Sequence, residues 1–222
     1  MKITNLIDHI QSDNNEIELE ISDGKSLTIK PLQSCFILVE NRSNLQSFLK
    51  RNKNVFDQNS LNITTQKLKS TATKLSVKSI GDLLNQLRDI SNGVHGILDF
   101  PQQLKLIKIN NLSDFYWDLQ ILNQRNFSNF DLDKFYSSNE IYKELGILTK
   151  KIYEKYNCAI LVCSYDVSFE NGLNSDKPYY YKSEIQRYSK LPTTFLESFS
   201  HFLHFSTSIE EFKRDENKWN LV

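Results

Sequence analysis

Leu104-Lys-Leu-Ile-Lys-Ile-Asn-Asn-Leu-Ser-Asp-Phe-Tyr-Trp117 is the stretch of sequence that decides the fold. Its apolar first half predicts a strand over 104–109, followed by a polar turn and three consecutive aromatic residues. Apolar runs at 35–39 and 158–164 predict two more buried strands. Amphipathic helices are predicted between the strands, over 43–49 with Ser43 as N-cap, 79–90 and 140–156. This alternation predicts an α/β domain with a mainly parallel sheet flanked by helices.

The other segments complete a single predicted domain over 1–222. Its N-terminal region, 1–33, contains a short predicted helix over 1–11 and a β-hairpin over 17–29 that turns at Asp23-Gly24. A strand is predicted near 62–65 and an exposed basic connection over 67–78. Long loops are predicted over 119–138 and 166–192, and residues 196–205 begin as helix and end as strand. In the C-terminal tail, 206–222, a charged segment precedes a short strand near 217–222.

Charge and cysteine content indicate the protein class and compartment. Lys+Arg and Asp+Glu both number 27, so the net charge of zero argues against a strongly basic nucleic-acid binder and leaves a local basic patch open. Cys35, Cys158 and Cys163 lie in apolar runs, which is typical of buried thiols in a reducing compartment. The first residues lack the apolar stretch of a signal peptide, and no segment reaches the roughly 18 apolar residues that a membrane span needs. We therefore expect a cytosolic or nuclear protein without a membrane partner.

Two segments bear on nucleotide chemistry. Asp23-Gly-Lys25-Ser26 is similar to the end of a phosphate-binding loop, but Leu19 stands where that loop needs its first glycine. The hairpin interpretation is therefore preferred. Asn110 follows the 104–109 strand, where a nucleotide-hydrolysing fold carries a Mg²⁺-managing carboxylate, and an amide offers no anionic oxygen. Lys25, Ser26 and Asn110 thus form a predicted degenerate nucleotide site.

No other motif predicts catalysis or metal binding. His201 and His204 would lie one helical turn apart, which differs from the i, i+4 pair of zinc proteases, and they lack a third ligand nearby in sequence. Cys158 and Cys163 lie in an apolar strand. We therefore predict no catalytic residue, no metal site, no cofactor and no enzymatic activity.

The long loop interleaves cations with aromatic side chains between residues 177 and 190. Cations can neutralise phosphates, and tyrosines can stack on unpaired bases. The alternative is a solvated loop whose tyrosines pack on the protein body. The candidate DNA-binding residues are Lys177, Tyr180, Lys182, Arg187 and Lys190.

The order of these segments resembles the RecA-like core of the eukaryotic recombinase paralogues, including the second of the X-ray repair cross-complementing series. The specific part is 104–117, where a family Asp aligns with Asn110 and a Phe-Tyr-Trp run aligns with Phe115, Tyr116 and Trp117. Helix 140–156 and strand 158–164 also match in order. The family's phosphate-binding loop is missing, as in the short degenerate paralogues of the Shu complex.

This resemblance implies a nuclear, non-catalytic paralogue in homologous recombination repair. It would pair with another recombinase paralogue and help recombinase filaments assemble on single-stranded or forked DNA. The loops after residue 118 and over 166–192 would fall where the recombinase core faces DNA. Phe115, Tyr116 and Trp117 would pack in the core or against the partner.

Two alternatives stay open at this point. One is a RecA-like structural subunit of a hetero-oligomer, resembling the small Elongator subunits, without a DNA role. The other is a nucleotide-dependent enzyme that uses Lys25 and Ser26.

Overall fold

The computed structural model describes residues 16–22, 24–39, 42–57, 60–65, 73–94, 104–115, 118–119, 137–165, 191–206, 209–215 and 218–222. The helix predicted over 1–11, most of the loop predicted over 119–138 and the segment 166–190 lie outside these ranges. None of the described helices has the length and apolarity needed to cross a bilayer.

The described strands form an eight-stranded sheet and a separate two-stranded hairpin. The large sheet has the order β10-β9-β8-β3-β7-β6-β4-β5, in which the six strands from β8 to β5 are parallel and the β8-β9-β10 end is antiparallel. The predicted α/β class with a mainly parallel sheet is therefore confirmed. The strands are β1 (Ile17–Ser22), β2 (Lys25–Ile29), β3 (Ser34–Val39), β4 (Ser60–Thr64), β5 (Thr73–Ser76), β6 (Leu106–Ile109), β7 (Ala159–Tyr165), β8 (His201–Phe205), β9 (Ile209–Asp215) and β10 (Lys218–Leu221).

Helices cover both faces of the sheet and produce three layers. One face, the α3/α4 face, packs against three helices through an apolar core that includes Phe36, Leu83 and Ile141. The opposite face, the hairpin face, packs against the β1–β2 hairpin and two helices. The helices are α1 (Arg42–Arg51), α2 (Lys53–Asp57), α3 (Ile80–Asn92), α4 (Ser138–Tyr156) and α5 (Thr193–Leu196), with a 3₁₀ turn at Leu112–Phe115; α3, α4 and α5 lie on the α3/α4 face.

Local sequence signals set the ends of α3. The Ser79 side chain accepts a hydrogen bond from the Asp82 backbone N–H at 3.1 Å, as an N-cap does. Gly93 ends the helix with φ of 76°, a left-handed conformation that costs glycine little. A Cβ at that position would also lie 2.7 Å from the Lys155 Nζ. These two signals fix α3, whose predicted range of 79–90 is confirmed to within two residues.

The predicted hairpin is confirmed, and side-chain hydrogen bonds join it to the C-terminal end of α1. The Asn52 side chain accepts from the Glu20 backbone N–H at 2.8 Å and donates to the Glu20 carbonyl at 2.9 Å. Arg51 donates to the Ile21 carbonyl at 2.7 Å. Leu19 and Ile29 are fully buried beneath this arrangement, so the hairpin belongs to the core of the hairpin face.

Two local predictions were wrong, and one strand was not predicted. Ser43 is not the N-cap of α1, because the helix already begins at Arg42. The connection predicted over 67–78 contains β5, an edge strand that needs only Leu75 as a buried anchor. The charged segment of the C-terminal tail contains β9, whose charged residues are tolerated because antiparallel pairing with β8 supplies backbone hydrogen bonds and Phe212 supplies the buried contact.

Candidate functional site

The carboxyl ends of β3, β7 and β6 are where this topology would place a ligand. The chain leaves β3 toward β4 in one direction and leaves β7 toward β8 in the other. In open α/β sheets, ligands bind outside the carboxyl ends of the strands at such a reversal. We call this edge of the sheet the carboxyl edge.

The connection from β3 to α1 is too short for a phosphate-binding loop. Only Glu40 and Asn41 separate Val39 from Arg42. A phosphate-binding loop spans eight residues with two glycines and a lysine, whereas residues 40–47 contain neither residue type. Backbone amides therefore cannot wrap a phosphate chain here in the usual manner.

Asn110 lies at the carboxyl edge directly after β6. Its backbone N–H donates to the Ile63 carbonyl at 3.0 Å, and the residue is 4% exposed. Neither polar atom of its side chain has a hydrogen-bond partner among the described residues. A buried, unpaired amide costs about 1–3 kcal/mol. Asn110 thus occupies the predicted position without the charge that a magnesium ion requires.

The carboxylates near Asn110 hold the protein's own backbone and side chains. Asp114 accepts hydrogen bonds from the Thr65 hydroxyl and from the Asn111 side chain. Asp118 accepts from the Ile80 N–H at the start of α3, at 3.3 Å. Both carboxylates therefore hold neighbouring parts of the protein together at this edge. Asp118 also supplies the negative charge that the N-terminus of α3 favours.

The 3₁₀ turn closes the same edge over the end of β7. The hydroxyl groups of Ser113 and Ser164 are hydrogen-bonded to each other, and the Ser113 N–H donates to the Asn111 side chain at 3.2 Å. Phe115, the last residue of the turn, is 2% exposed within the core of the α3/α4 face. Of the predicted aromatic interface, Phe115 is thus a core residue in this structure, while Tyr116 and Trp117 lie outside the described residues.

A buried lysine lies next to this edge, and sequence reasoning missed it. Lys108 is 4% exposed, and its Nζ lies 3.7 Å from the centroid of the Phe56 ring. Burial lowers the pKa of Lys108 from 10.5 to about 8, with partial compensation from Cys163 and Asp57. The signal was available, because an interior strand of a parallel sheet is buried on both faces.

Lys108 belongs to a row of buried polar residues on the hairpin face, which we call the polar stripe. Asn62 lies beside Lys108 in register and donates to the Phe56 carbonyl at 3.2 Å, while its Oδ1 has no partner among the described residues. The Ser60 hydroxyl donates to the same carbonyl. The polar stripe consists of Ser60, Asn62, Thr64, Lys108 and Asn110.

The structure separates Lys25 and Ser26 from Asn110. Both are exposed residues at the start of β2, in the two-stranded sheet, and the Ser26 hydroxyl donates to Glu18 at 2.6 Å. No described contact joins them to the carboxyl edge. The turn between Ser22 and Lys25 therefore serves the hairpin, in agreement with the preferred interpretation of the sequence.

The surroundings of His201, of His204 and of the cysteines are those of structural residues. The Nε2 of His201 lies 3.4 Å from Gln33, and burial lowers its pKa, while the Nδ1 of His204 lies 3.4 Å from Glu210. Burial raises the pKa of the thiols, to about 12 at Cys158 and Cys163. The described part of the chain contains no group of three or more side chains suited to hold a metal ion.

Lys177, Tyr180, Lys182, Arg187 and Lys190, the predicted DNA-binding residues, lie outside the described residues. The structure describes the residues on either side of the segment 166–190. β7 ends at Tyr165, at the carboxyl edge, and Leu191 lies in the core with 3% exposure.

Comparison with known proteins gave matches of two kinds, to a family model and to solved structures. A family model matches residues 1–208, and its description reads "Shu complex component Psy3, DNA-binding description". Among solved structures, a chain from the structure of a DnaB-like replicative helicase and its interactions with primase is similar, with 10% identity and a TM-score of 0.49. The alignment covers 87% of this chain and 54% of that chain, so this chain spans about half the helicase's length. No curated protein matches.

The family match covers nearly the whole sequence, including both the hairpin and the carboxyl edge. Shu complex components of this family are non-catalytic accessory proteins, and membership supports a role in homologous recombination. The chain belongs to the Psy3 family of Shu complex components.

Proposed function

We propose that this chain pairs with another recombinase paralogue and assists the assembly of recombinase filaments on DNA in the nucleus. The observation that carries the proposal is the match of residues 1–208 to the Shu complex family. The pair would bind single-stranded or forked DNA and stabilise a filament beside it.

The chemistry of the carboxyl edge supports a role without ATP turnover. The β3–α1 connection lacks the residues of a phosphate-binding loop, and Asn110 stands where the family resemblance predicts a metal-binding carboxylate. Asp114 is engaged by Thr65 and Asn111. DNA binding by such a subunit does not depend on hydrolysis, so it persists with or without ATP.

The segment 166–190 is the proposed DNA-contacting loop. It follows β7 at the carboxyl edge, and its Lys177, Lys182, Arg187 and Lys190 supply cations for phosphates. Tyr180 supplies an aromatic face for an unpaired base, and stacking of this kind is worth about 1–3 kcal/mol per base.

The segment 115–117 is the proposed contact with the partner paralogue. Phe115 is buried and anchors the 3₁₀ turn to the core. Tyr116 and Trp117 follow it directly, and large aromatic residues are frequent anchors at protein interfaces. In this proposal Phe115 fixes the turn while Tyr116 and Trp117 contact the partner.

The experiment is a DNA-binding titration of the chain purified together with its partner. Fluorescence anisotropy would measure the affinity for labelled single-stranded and forked DNA at several salt concentrations, with and without ATP. A variant with glutamine at Lys177, Lys182, Arg187 and Lys190 should bind more weakly. Its salt slope should be smaller by about 0.7 for each phosphate that the variant no longer neutralises. The control carries glutamine at four exposed lysines elsewhere, Lys30, Lys143, Lys151 and Lys213.

The outcome also separates the competing functions. Equal weakening by the loop variant and the control would contradict a DNA role for the loop. A stable hetero-oligomer that binds no DNA in either form would indicate a purely structural subunit, which is the Elongator-like alternative. ATP-dependent binding that Lys25→Ala abolishes would revive the nucleotide-dependent alternative.

A further inference from the structure

The outer edge of β10, at one end of the large sheet, is exposed to solvent. Leu221 is 63% exposed and Val222 is 67% exposed, although both residues are apolar. Single exposed apolar residues are common on protein surfaces, but these two lie at the end of an edge strand, where unpaired backbone groups can bind another strand. β10 lies beyond residues 1–208, which match the family, and the proposed function assigns it no role.

The hydrogen bonds of β9 show which of its backbone groups face β10. The Arg214 N–H donates to the Ser200 carbonyl, next to β8, and the Val222 N–H donates to the Glu211 carbonyl, both at 2.9 Å. Residues of an antiparallel strand bond alternately to one neighbouring strand and to the other. The even-numbered residues of β9 therefore bond to β8, and its odd-numbered residues bond to β10.

The same alternation identifies the outward groups of β10. Asn220 pairs with Lys213, an odd-numbered residue of β9, so the backbone groups of Asn220 face β9. The N–H and carbonyl groups of Trp219 and Leu221 therefore point away from the sheet. Among the residues that the structure describes, none bonds to these outward groups.

The side chains of Trp219 and Leu221 lie on the α3/α4 face. Trp219 packs against Phe202 with the ring centroids 6.4 Å apart, and Leu221 lies in register with Phe212, which is 2% exposed. Leu221 thus extends the apolar core of this face to the edge of the sheet, where most of its own surface is uncovered. The outward backbone groups and the exposed apolar side chain belong to the same short segment.

Other strand edges of the protein are blocked, which sets β10 apart. At the opposite end of the large sheet, β5 has Lys74 in its middle, and a charged residue in an edge strand opposes addition of another strand. On the hairpin, Asn52 bonds both backbone groups of Glu20. In contrast, residues 219–222 carry no charged side chain.

A second copy of β10, running antiparallel, matches this edge in both backbone and side chains. When Asn220 lies opposite its own copy, Trp219 of each chain lies opposite Leu221 of the other. Each of these pairs can exchange two hydrogen bonds, because both residues present outward groups. The indole and leucine side chains then cover each other on the α3/α4 face. Lys218 lies opposite Val222 in this register, so no like charges meet.

We infer that two copies of this chain associate through β10, in an antiparallel pairing centred on Asn220 that joins their large sheets into one. The edge is complementary to itself under a two-fold rotation, which is the requirement for a symmetric dimer. The interface is separate from the proposed DNA loop and from Tyr116 and Trp117, so the inference does not depend on the proposed function.

Disulfide trapping in the full chain tests this register. Asn220 and its copy would form a non-hydrogen-bonded pair with Cα atoms about 4.5 Å apart, which is within the range for a disulfide. Asn220→Cys should therefore give a covalent dimer on mild oxidation. Val222→Cys is the matched control, because Val222 and its copy would lie roughly 14 Å apart along the strands. The native Cys35, Cys158 and Cys163 are 0% exposed and should not compete.

Sedimentation velocity over a range of concentrations should show reversible association of the unmodified chain. One edge strand forms a small interface, so we expect a Kd on the order of 10–100 μM. Leu221→Lys should weaken association at least about tenfold, because it removes apolar contact and adds charge to the edge. Leu221→Pro should also weaken it, because proline removes only an outward donor. Val94→Lys, at a 76% exposed residue after α3, should have no effect.

The other outcomes overturn the inference. A chain that stays monomeric at several hundred micromolar would exclude the interface, and equal trapping of the two cysteine variants would exclude the register. Unchanged self-association of Leu221→Lys would show that the copies meet elsewhere. If Leu221→Lys instead lost only its binding to the co-purified paralogue, the edge would belong to that partner. Unchanged thermal unfolding of the variants, followed by circular dichroism, establishes that weakening reflects the interface and not unfolding.

Discussion

The hairpin face of the sheet has two halves that are about equally buried, but the side chains of one half are apolar and those of the other are polar. Across β3 and β7, the side chains that face α1 and the hairpin are apolar, as at Ile37 and Leu161, which are 0% exposed. Across β4 and β6, the same face carries the polar stripe, with Lys108 and Asn110 at 4% exposure. Burial in a parallel sheet therefore does not by itself imply apolar residues or a contribution to stability.

The two halves should contribute oppositely to the free energy of unfolding. Apolar burial contributes about 25 cal/mol per Å². In the polar stripe, Asn62 and Asn110 leave polar atoms unpaired among the described residues, and Lys108 has an aromatic ring as its close neighbour. Substitutions in each half can test the difference.

The largest expected effect is in the apolar half. Ile37→Ala should lower the free energy of unfolding by about 4 kcal/mol, because it removes a fully buried side chain and leaves a cavity. Urea denaturation measures the change. Ile147→Ala, at a side chain that is 40% exposed, should cost about 1 kcal/mol or less and serves as the control. An equal loss of unfolding free energy in both variants would contradict the stabilising role of the apolar half.

Asn110→Asp should be the most harmful change in the polar stripe. A carboxylate there would be buried without an ion pair, so stability at pH 7 should fall by about 3 kcal/mol. Burial raises the pKa of such a carboxyl group, so the destabilisation should shrink as the pH falls toward 4. Asn54→Asp, at an exposed position, is the control.

Magnesium is the decisive addition to that denaturation experiment. Because the β3–α1 connection lacks a phosphate-binding loop, 10 mM Mg²⁺ should not restore the stability of Asn110→Asp. Recovery of more than about 1 kcal/mol would show that the carboxyl edge still forms a metal site when given its carboxylate.

Lys108→Met should change stability in the opposite direction. The substitution removes a buried cation and keeps most of the side-chain volume, so the free energy of unfolding at pH 7 should rise by about 2 kcal/mol. This gain is less than the cost of burying the charge, because the variant also removes the attraction between Nζ and the Phe56 ring. Lys143→Met, at an exposed position of α4, should change little. Destabilisation of the buried variant by more than about 1 kcal/mol would show that the stripe contributes to stability.

The smallest expected effect is a change of stability with pH that arises from the titration of Lys108. Its pKa is lowered to about 8 in the folded state, so above pH 8 the unfolded chain binds more protons than the folded one. Stability should therefore rise by about 1 kcal/mol between pH 8 and 9 relative to Lys108→Met. Taking the difference between the two proteins removes the titration of groups that they share. A flat difference would show that Lys108 keeps an ordinary pKa.

The main features of the fold could be predicted from sequence because they depend on local pattern. The apolar runs at 35–39 and 158–164 correspond to β3 and β7, and the predicted hairpin turn lies between Ser22 and Lys25. In contrast, β5 and β9 depend on pairing with β4 and β8, which supplies hydrogen bonds to short or charged segments whose own pattern is weak. Long-range pairing of this kind leaves little trace in a local window.

The position of Asn110 at the end of a strand could be predicted from sequence, but the surroundings of its side chain could not. Asn110 lies after β6 as expected. Its lack of partners among the described residues and the engagement of Asp114 by Thr65 depend on side chains that come together only in the folded sheet.

The side chain of Asn52 has a consequence for self-association. By bonding both the N–H and the carbonyl of Glu20, it occupies the pairing groups on the outer edge of β1, and Arg51 takes the Ile21 carbonyl beside them. An open strand edge is a template on which another chain can add a strand. A single amide at the end of a helix therefore occupies backbone groups to which an added strand would bond, and this should hinder the hairpin from pairing with another chain at Glu20.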